Sequence, residues 1–341
     1  MTSLPIITTE ERLKEQRGLT VVIFGATGIG KTSLLKTLKE PTLCLDMEAG
    51  LLAAQDWKGD SLKVRDWDMA RDLACLIGGV NPATKALGSS QRMSSAYTQE
   101  HFERACHIYG SPSQFDKYTC LFIDSLTVAS RLCLQWCKAQ PEARSEKTNK
   151  PDIRAAYGLL ASEMMSWLNQ FQHLKHKDTL FVGILEQRVD EFHVSSWVPQ
   201  IEGSKTALEL PGVVDEVFTL IGQWREINDE ASKPVQVFKR LLICKPGTPY
   251  PAKDRSGRLE IQEEADLSVI LAKIKGPLPL SASSSLPSSP PLASPFESID
   301  PITGECLIIP SSSPLQSRVT GDPLPGEGMP GVSTLIQETV S

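Results

Sequence analysis

Residues 19–39 read LTVVIFGATGIGKTSLLKTLK. Leu19 to Phe24 is a short β-rich apolar run, and Ser33 to Lys39 has the spacing of a helix. Between them GATGIGKT, Gly25 to Thr32, fits G-x-x-x-x-G-K-[ST] at every position. A strand, a glycine-rich turn and a helix in that order make a phosphate cradle. The glycines let the loop curl so that backbone N–H groups converge on an anion at the start of the helix. Gly25, Ala26, Thr27, Gly28, Ile29, Gly30, Lys31, Thr32 and Ser33 are therefore the expected nucleotide contacts. Lys31 would reach the β- and γ-phosphates and the Thr32 hydroxyl would ligate Mg²⁺, which predicts ATP with Mg²⁺ as the bound species.

Two further segments bring acids to the ends of strands. TCLFIDS, Thr119 to Ser125, carries Asp124 out of a buried run of four apolar residues, where it can hold the Mg²⁺ shell. LCLDMEAG, Leu43 to Gly50, ends in Asp46 and Glu48. Their i, i+2 spacing puts both carboxylates on one face of a strand, at the edge where open α/β sheets bind ligands. A carboxylate there can orient and deprotonate an attacking water, which makes Glu48 the candidate base.

Outward from these segments, strand-like and helix-like runs alternate. Thr42 to Leu45, Cys120 to Ile123, Thr179 to Leu185, Val213 to Leu220 and Val235 to Cys244 read as strands. Leu126 to Lys138 and Ile153 to Leu174 read as helices. Such alternation predicts an α/β fold, a mainly parallel sheet covered by helices on both faces. Residues 59–117 are less regular, and their polar middle, ATKALGSSQRMSSAYTQE at 83–100, reads as an insertion or mobile loop.

Composition changes near Lys275. Residues 276–341 hold 12 of the chain's 24 prolines, with runs such as SASSSLPSSPPLASP, and lack the apolar periodicity that offsets the entropy of ordering. The expected organisation is one domain over 1–275 and a disordered Pro/Ser-rich acidic tail over 276–341. Two apolar islands in the tail, Cys306 to Ile309 and Gly331 to Ile336, could dock a protein partner. The chain carries 35 Lys and Arg against 41 Asp and Glu, and one of those bases and six of those acids lie in the tail. The domain is thus nearly neutral, which excludes a strongly basic nucleic-acid-binding domain and leaves local patches. No run approaches the roughly 20 apolar residues that span a bilayer. The N-terminus lacks the basic-then-apolar order of a signal peptide, so a cytoplasmic protein is expected. Cys133 and Cys137 sit one helical turn apart without the partners of a zinc site, and the cysteines read as reduced thiols.

Together GATGIGKT, LCLDMEAG and TCLFIDS resemble the RecA and KaiC-type branch of P-loop ATPases. That resemblance implies a RecA-like P-loop NTPase core and maps the branch's catalytic glutamate onto Glu48. It also implies a strand ending in a polar sensor; FVGILEQR, Phe181 to Arg188, is similar, with Gln187 as the γ-phosphate sensor. This sequence departs by placing Glu186 before it. Residues from about 19 to 275 resemble phage-encoded ATP-binding proteins, including the RecA-like single-strand annealing proteins of the Sak type. The segments that carry this are LCLDMEAGL, LFIDSLT, AAYGLLASEM, IEGSKTALELPGVVDEV and AKDRSGRLE.

The family implies ATP hydrolysis, a homo-oligomer and single-stranded DNA as partner, in recombination or annealing. DNA-contacting loops would fall in about 138–152 and 188–212. The first region brings Lys138, Arg144, Lys147, Lys150 and, just beyond it, Arg154. The second carries Arg188, His193, Trp197 and Lys205, with Trp197 as a stacking platform. A basic residue from a neighbouring subunit would reach the γ-phosphate, with Lys205 and Arg255 as rivals. The competing reading is a nucleotide-switched assembly or scaffold protein that does not bind DNA.

Overall fold

The computed structural model describes residues 7–14, 18–81, 96–145, 147–174, 176–189, 191–193, 195–228 and 234–276, with the pairs 298–299 and 306–307. In chain order the regular elements of the first unit begin with α1 (Thr9–Lys14), β1 (Thr20–Gly25), β2 (Thr42–Asp46), β3 (Asp60–Lys63) and α2 (Trp67–Gly78). Then come α3 (Gln99–Tyr109), β4 (Cys120–Asp124), α4 (Leu126–Ala139), α5 (Ile153–Gln172), β5 (Asp178–Val189) and β6 (Ser195–Pro199). The unit continues with α6 (Ser204–Val213), β7 (Glu216–Asn228), β8 (Pro234–Ile243), β9 (Lys253–Asp254), β10 (Gln262–Glu264) and α7 (Leu267–Lys275).

The sheet runs in the order β10-β8-β7-β1-β5-β4-β2-β3. The six strands from β7 to β3 are parallel, so all their carboxyl ends share one edge. β8 and β10 add antiparallel strands beyond β7, β9 pairs with the start of β7, and β6 folds back on the far end of β5.

Both faces of the parallel sheet are covered, which is why β1, β2 and β4 are buried at every position. On one face Val22, Phe24, Leu45, Ile123 and Phe181 pack under α2, α4 and α5. The aromatic centre of that layer is Trp167, whose ring lies 5.4 Å from Trp67 and 5.6 Å from Phe181. On the other face Val21, Ile23, Phe122, Val182 and Leu220 pack under Leu34 and Leu35 from the P-loop turn and Ile270 and Leu271 from α7. The last helix is tied to that turn: Leu267 N donates to Thr37 Oγ1 and Lys39 N to Ser268 Oγ.

Three local expectations change. The turn after the P-loop is a 3₁₀ helix, Thr32–Thr37, with Leu38 already extended. Pro41 biases the residue before it away from helical geometry, and the chain must enter β2 at Thr42. The stretch 59–117 is more regular than its composition suggests. Asp66 caps α2 by accepting from Met69 N, and Thr98 caps α3 by accepting from His101 N. Of the polar insertion read at 83–100, residues 83–95 lie outside the described residues. The region 188–212 is not one open loop either: β5 continues to Val189, pairs with β6, and α6 follows.

The chain divides into two units, Met1–Pro277 and Leu278–Ser341. In the second unit Ser298–Ile299 (β11) pairs antiparallel with Cys306–Leu307 (β12). Apart from Gly276 and these two pairs, the proposed tail lies outside the described residues, as does the island at Gly331 to Ile336. Among the described residues no helix is long and apolar enough to cross a membrane.

Candidate functional site

The P-loop leaves β1 at the carboxyl edge of the sheet. Gly25 is fully packed: a Cβ there would meet Ile29 at 3.0 Å and the Leu220 carbonyl at 3.1 Å. Gly28 and Gly30 take φ of 80° and 99°, the left-handed region that lets the loop curl back. Lys31 folds over this curl, its Nζ donating to Gly25 O at 2.9 Å and Ala26 O at 3.0 Å. Burial lowers the Lys31 pKa, while Glu48 and Asp124 pull it back up.

The acids converge on the same point. β2 and β4 are parallel neighbours with Asp46 opposite Asp124, so both strands end together. Thr32 Oγ1 donates to Asp124 Oδ2 at 2.6 Å. Just past β2, Met47 N donates to Asp124 O at 2.7 Å, and Gly50 N donates to Asp46 Oδ1 at 3.3 Å. These bonds wrap the MEAG turn around the end of β4 and bring Glu48 to Ser125, whose hydroxyl donates to Glu48 Oε1. Ser125 also caps α4, accepting from Val128 N.

Three carboxylates thus gather about Thr32 and Lys31. Burial above all raises the Asp124 pKa, to about 6 once the opposing Thr32 hydroxyl, the like charges of Glu48 and Asp46 and the Lys31 ammonium are all counted. A carboxylate held so against its own solvation favours a cation beside it. The donor set also fits a hard divalent ion, since Thr32 Oγ1 and Asp124 Oδ2 are oxygen ligands already side by side.

The structure brings the P-loop, Asp124, Asp46 and Glu48 into one site, and leaves other expected residues outside it. Gln187 lies three residues beyond Ile184, the β5 partner of Gly25, and is exposed on the ribbon with β6. Glu186 ion-pairs with Arg188 at 2.5 Å. Trp197 packs on Tyr250 with ring centroids 5.3 Å apart, so one face of its indole is covered. Lys205, in the first turn of α6, is exposed and sits 3.8 Å from Glu209. Arg255 lies at the opposite edge, where its guanidinium pairs with Asp215 at 2.9 Å. Cys133 and Cys137 are buried with their sulfurs 3.9 Å apart.

One neighbour of the P-loop was not foreseen. Arg240, on β8, donates from Nη1 to Gly30 O at 3.2 Å. No local motif marks it, because 210 residues separate it from its partner. A cavity of about 840 Å³ lined by Ile77, Asn81, His173 and Lys177 opens at the ends of α2 and α5, away from the P-loop.

A glycine-rich loop between a buried parallel strand and a helical turn, with a Thr–Asp pair at its mouth, defines a P-loop nucleoside triphosphatase. Residues 17–256 match the AAA domain family, and the chain belongs to that family; it is an AAA-type P-loop ATPase. No curated protein matches it. Among solved structures it is similar to a prototypical ATPase from the type III secretion system of pathogenic bacteria. The identity is 15% and the TM-score 0.33, over 60% of this chain and 51% of that one. The chain therefore spans about half the length of that ATPase.

Proposed function

We propose that the protein is a RecA-like, Mg²⁺-dependent ATPase of the phage single-strand annealing type, acting on single-stranded DNA in recombination or annealing. The observation that carries the reading is the convergence of Glu48 with Asp124 and Thr32 beside the P-loop lysine. Lys31 exchanges the Gly25 and Ala26 carbonyls for the β- and γ-phosphate oxygens of the bound triphosphate. Thr32 and Asp124 would hold the ion, which when bound would supply positive charge against the charge developing on the phosphates. Glu48 is anchored through Oε1 by Ser125, leaving its other oxygen to take the proton of the attacking water.

The DNA half of the proposal rests on surface chemistry. Trp136, near the end of α4, donates to Asp68 in the first turn of α2, so the α4–α5 connection emerges at the carboxyl side of the sheet. Lys138, Arg144, Lys147, Lys150 and Arg154 are all exposed there. A cleft of about 700 Å³ lies between α5 and the β5–β6 ribbon, lined by Tyr157, Arg188, Lys205 and Leu208. Basic side chains with an aromatic ring suit a strand whose phosphates and bases must both be met. A homo-oligomer would let an exposed base of one copy, such as Lys205, reach the γ-phosphate of the next.

The test is the steady-state ATPase rate and fluorescence anisotropy with an oligonucleotide at several salt concentrations. Single-stranded DNA should raise the rate, and neutralising Lys147 and Lys150 should reduce the salt slope by about 0.7 for each phosphate no longer neutralised. ATP hydrolysis indifferent to DNA, with no binding at low salt, would overturn the DNA assignment and favour a nucleotide-switched scaffold.

A further inference from the structure

The residues around Thr32 and Asp124 account for phosphates and an ion, and the rest of the nucleotide needs its own ground. β7 is parallel to β1 only as far as Leu220, which is in register with Gly25. Beyond that point β7 runs on past the P-loop, paired with β8. Directly opposed residues of an antiparallel pair share a face, and so do residues two apart along a strand. Leu220 and Leu242 are such a pair, buried with Leu34 and Leu35 on the P-loop face of the sheet. Two residues on, Gly222 faces Arg240, and two further on Trp224 faces Phe238. All four therefore lie on the P-loop face.

This row starts in contact with the P-loop and leads away from it. Arg240 donates to Gly30 O, and its guanidinium occupies space 2.5 Å from where a Gly30 Cβ would stand. Gly222 is bare for a reason: a Cβ there would lie 2.1 Å from Phe238 Cζ, so the phenyl ring lies down across it, toward Arg240. Trp224 stands next to it with ring centroids 5.3 Å apart and planes at 64°. The two rings form an open corner about 7 Å along the ribbon from the pair that touches the P-loop. Trp224 is 67% exposed and Phe238 46% exposed, although each carries a large apolar surface.

We propose that Trp224 and Phe238 form the platform for the nucleobase of the triphosphate held by the P-loop, with Arg240 between base and phosphates; this rests on reading Gly25–Thr32 as a triphosphate cradle. The chemistry fits a purine. A flat ring covers the exposed indole or phenyl while the other ring closes one side, and the guanidinium lies where the ligand's negative charge begins. Arg240 bonds the row directly to the P-loop, which favours the cradle's own ligand over a separate partner. Stacking reads a flat ring without reading its edge, so ATP and GTP should bind with similar affinity.

Calorimetric titration of the full chain with Mg·ATP and with Mg·tripolyphosphate tests this. Trp224→Ala and Phe238→Ala should each weaken ATP about 5- to 100-fold and leave tripolyphosphate unchanged. Trp224→Tyr should keep ATP affinity and Trp224→Leu should lose it, a contrast that holds even if the alanine variant folds poorly. Equal losses for both ligands, or unchanged ATP affinity, would overturn the platform. So would a change of oligomeric mass in Trp224→Ala without a change in ATP binding. If the unmodified protein binds tripolyphosphate as tightly as ATP, the platform alone fails; if it binds neither, the cradle reading fails and takes the platform with it.

Discussion

The two edges of the parallel sheet are both dense in charge, and they handle it in opposite ways. At the amino edge, charge is matched by counter-charge or by hydrogen-bond partners. Asp178 accepts from Leu19 N and pairs with Lys275, and Asp215 accepts from Thr20 N and pairs with Arg255. Glu216 accepts from the Arg255 and Ser256 amides, while Lys253 donates to the Pro211 and Val214 carbonyls. These bonds staple the starts of β1, β5 and β7 to the chain that follows them. At the carboxyl edge Asp46, Asp124 and Glu48 gather around Lys31, and Lys31 is spent on two carbonyls. The same residue types serve architecture where they are paired off, and chemistry where charge is left in surplus.

Breaking the carboxyl edge should have the largest effect. Glu48→Gln should keep Mg·ATP binding and lower kcat by roughly 10²–10⁴-fold, as removal of a general base does. Single-turnover hydrolysis beside a binding isotherm will show it; a wild-type rate would move the base elsewhere. Breaking the amino edge should do the reverse. Arg255→Ala removes the Arg255 contact to Asp215, which keeps its bond from Thr20 N, and since Arg255 is half exposed the cost should be about 1–2 kcal/mol. The melting temperature should drop by several degrees with ATP affinity unchanged. A fall in ATP affinity instead would mean that Arg255 acts at the nucleotide.

The smallest effect is one of pH. Burial pushes Glu216 up to about 7, with Asp254 adding to the rise, and Asp124 up to about 6. Both groups hold protons in the folded chain that the unfolded chain has released, so stability falls as pH rises from about 4 to 7. The nucleotide-free protein should melt a few degrees lower at pH 7.5 than at pH 5. Adding Mg²⁺ and ATP should offset only the Asp124 share, and Glu216→Gln should reduce the remainder.

The site was legible in the sequence wherever its signal was local. GATGIGKT, Asp124 and Glu48 each declare themselves within eight residues, because a strand, a turn and the next element must follow one another to make an edge. The parallel core was legible for the same reason. What the sequence hid depends on remote partners. Arg240 matters through Gly30, and Gly222 through Phe238, and neither position differs from an ordinary strand residue when read alone. Trp197 reads as an open aromatic until Tyr250, far along the chain, is seen against it. Arg255 reads as a candidate finger until Asp215 claims it. The helices α2 and α3 were obscured by the polar run between them, although Asp66 and Thr98 were ordinary caps.

The tie between α7 and the P-loop turn bears on how the protein is made. Leu34 and Leu35 leave the ribosome more than 200 residues before the helix that roofs them, Leu267–Lys275. Until that helix emerges, the nascent chain has one covered face and one bare apolar face beside its glycine-rich loop, a state open to chaperones and misassembly. Closing so long a loop is slow, and Thr37 and Ser268 latch it only at the end. Competence for nucleotide should therefore arrive last in biogenesis, after the helix-covered half of the domain has formed.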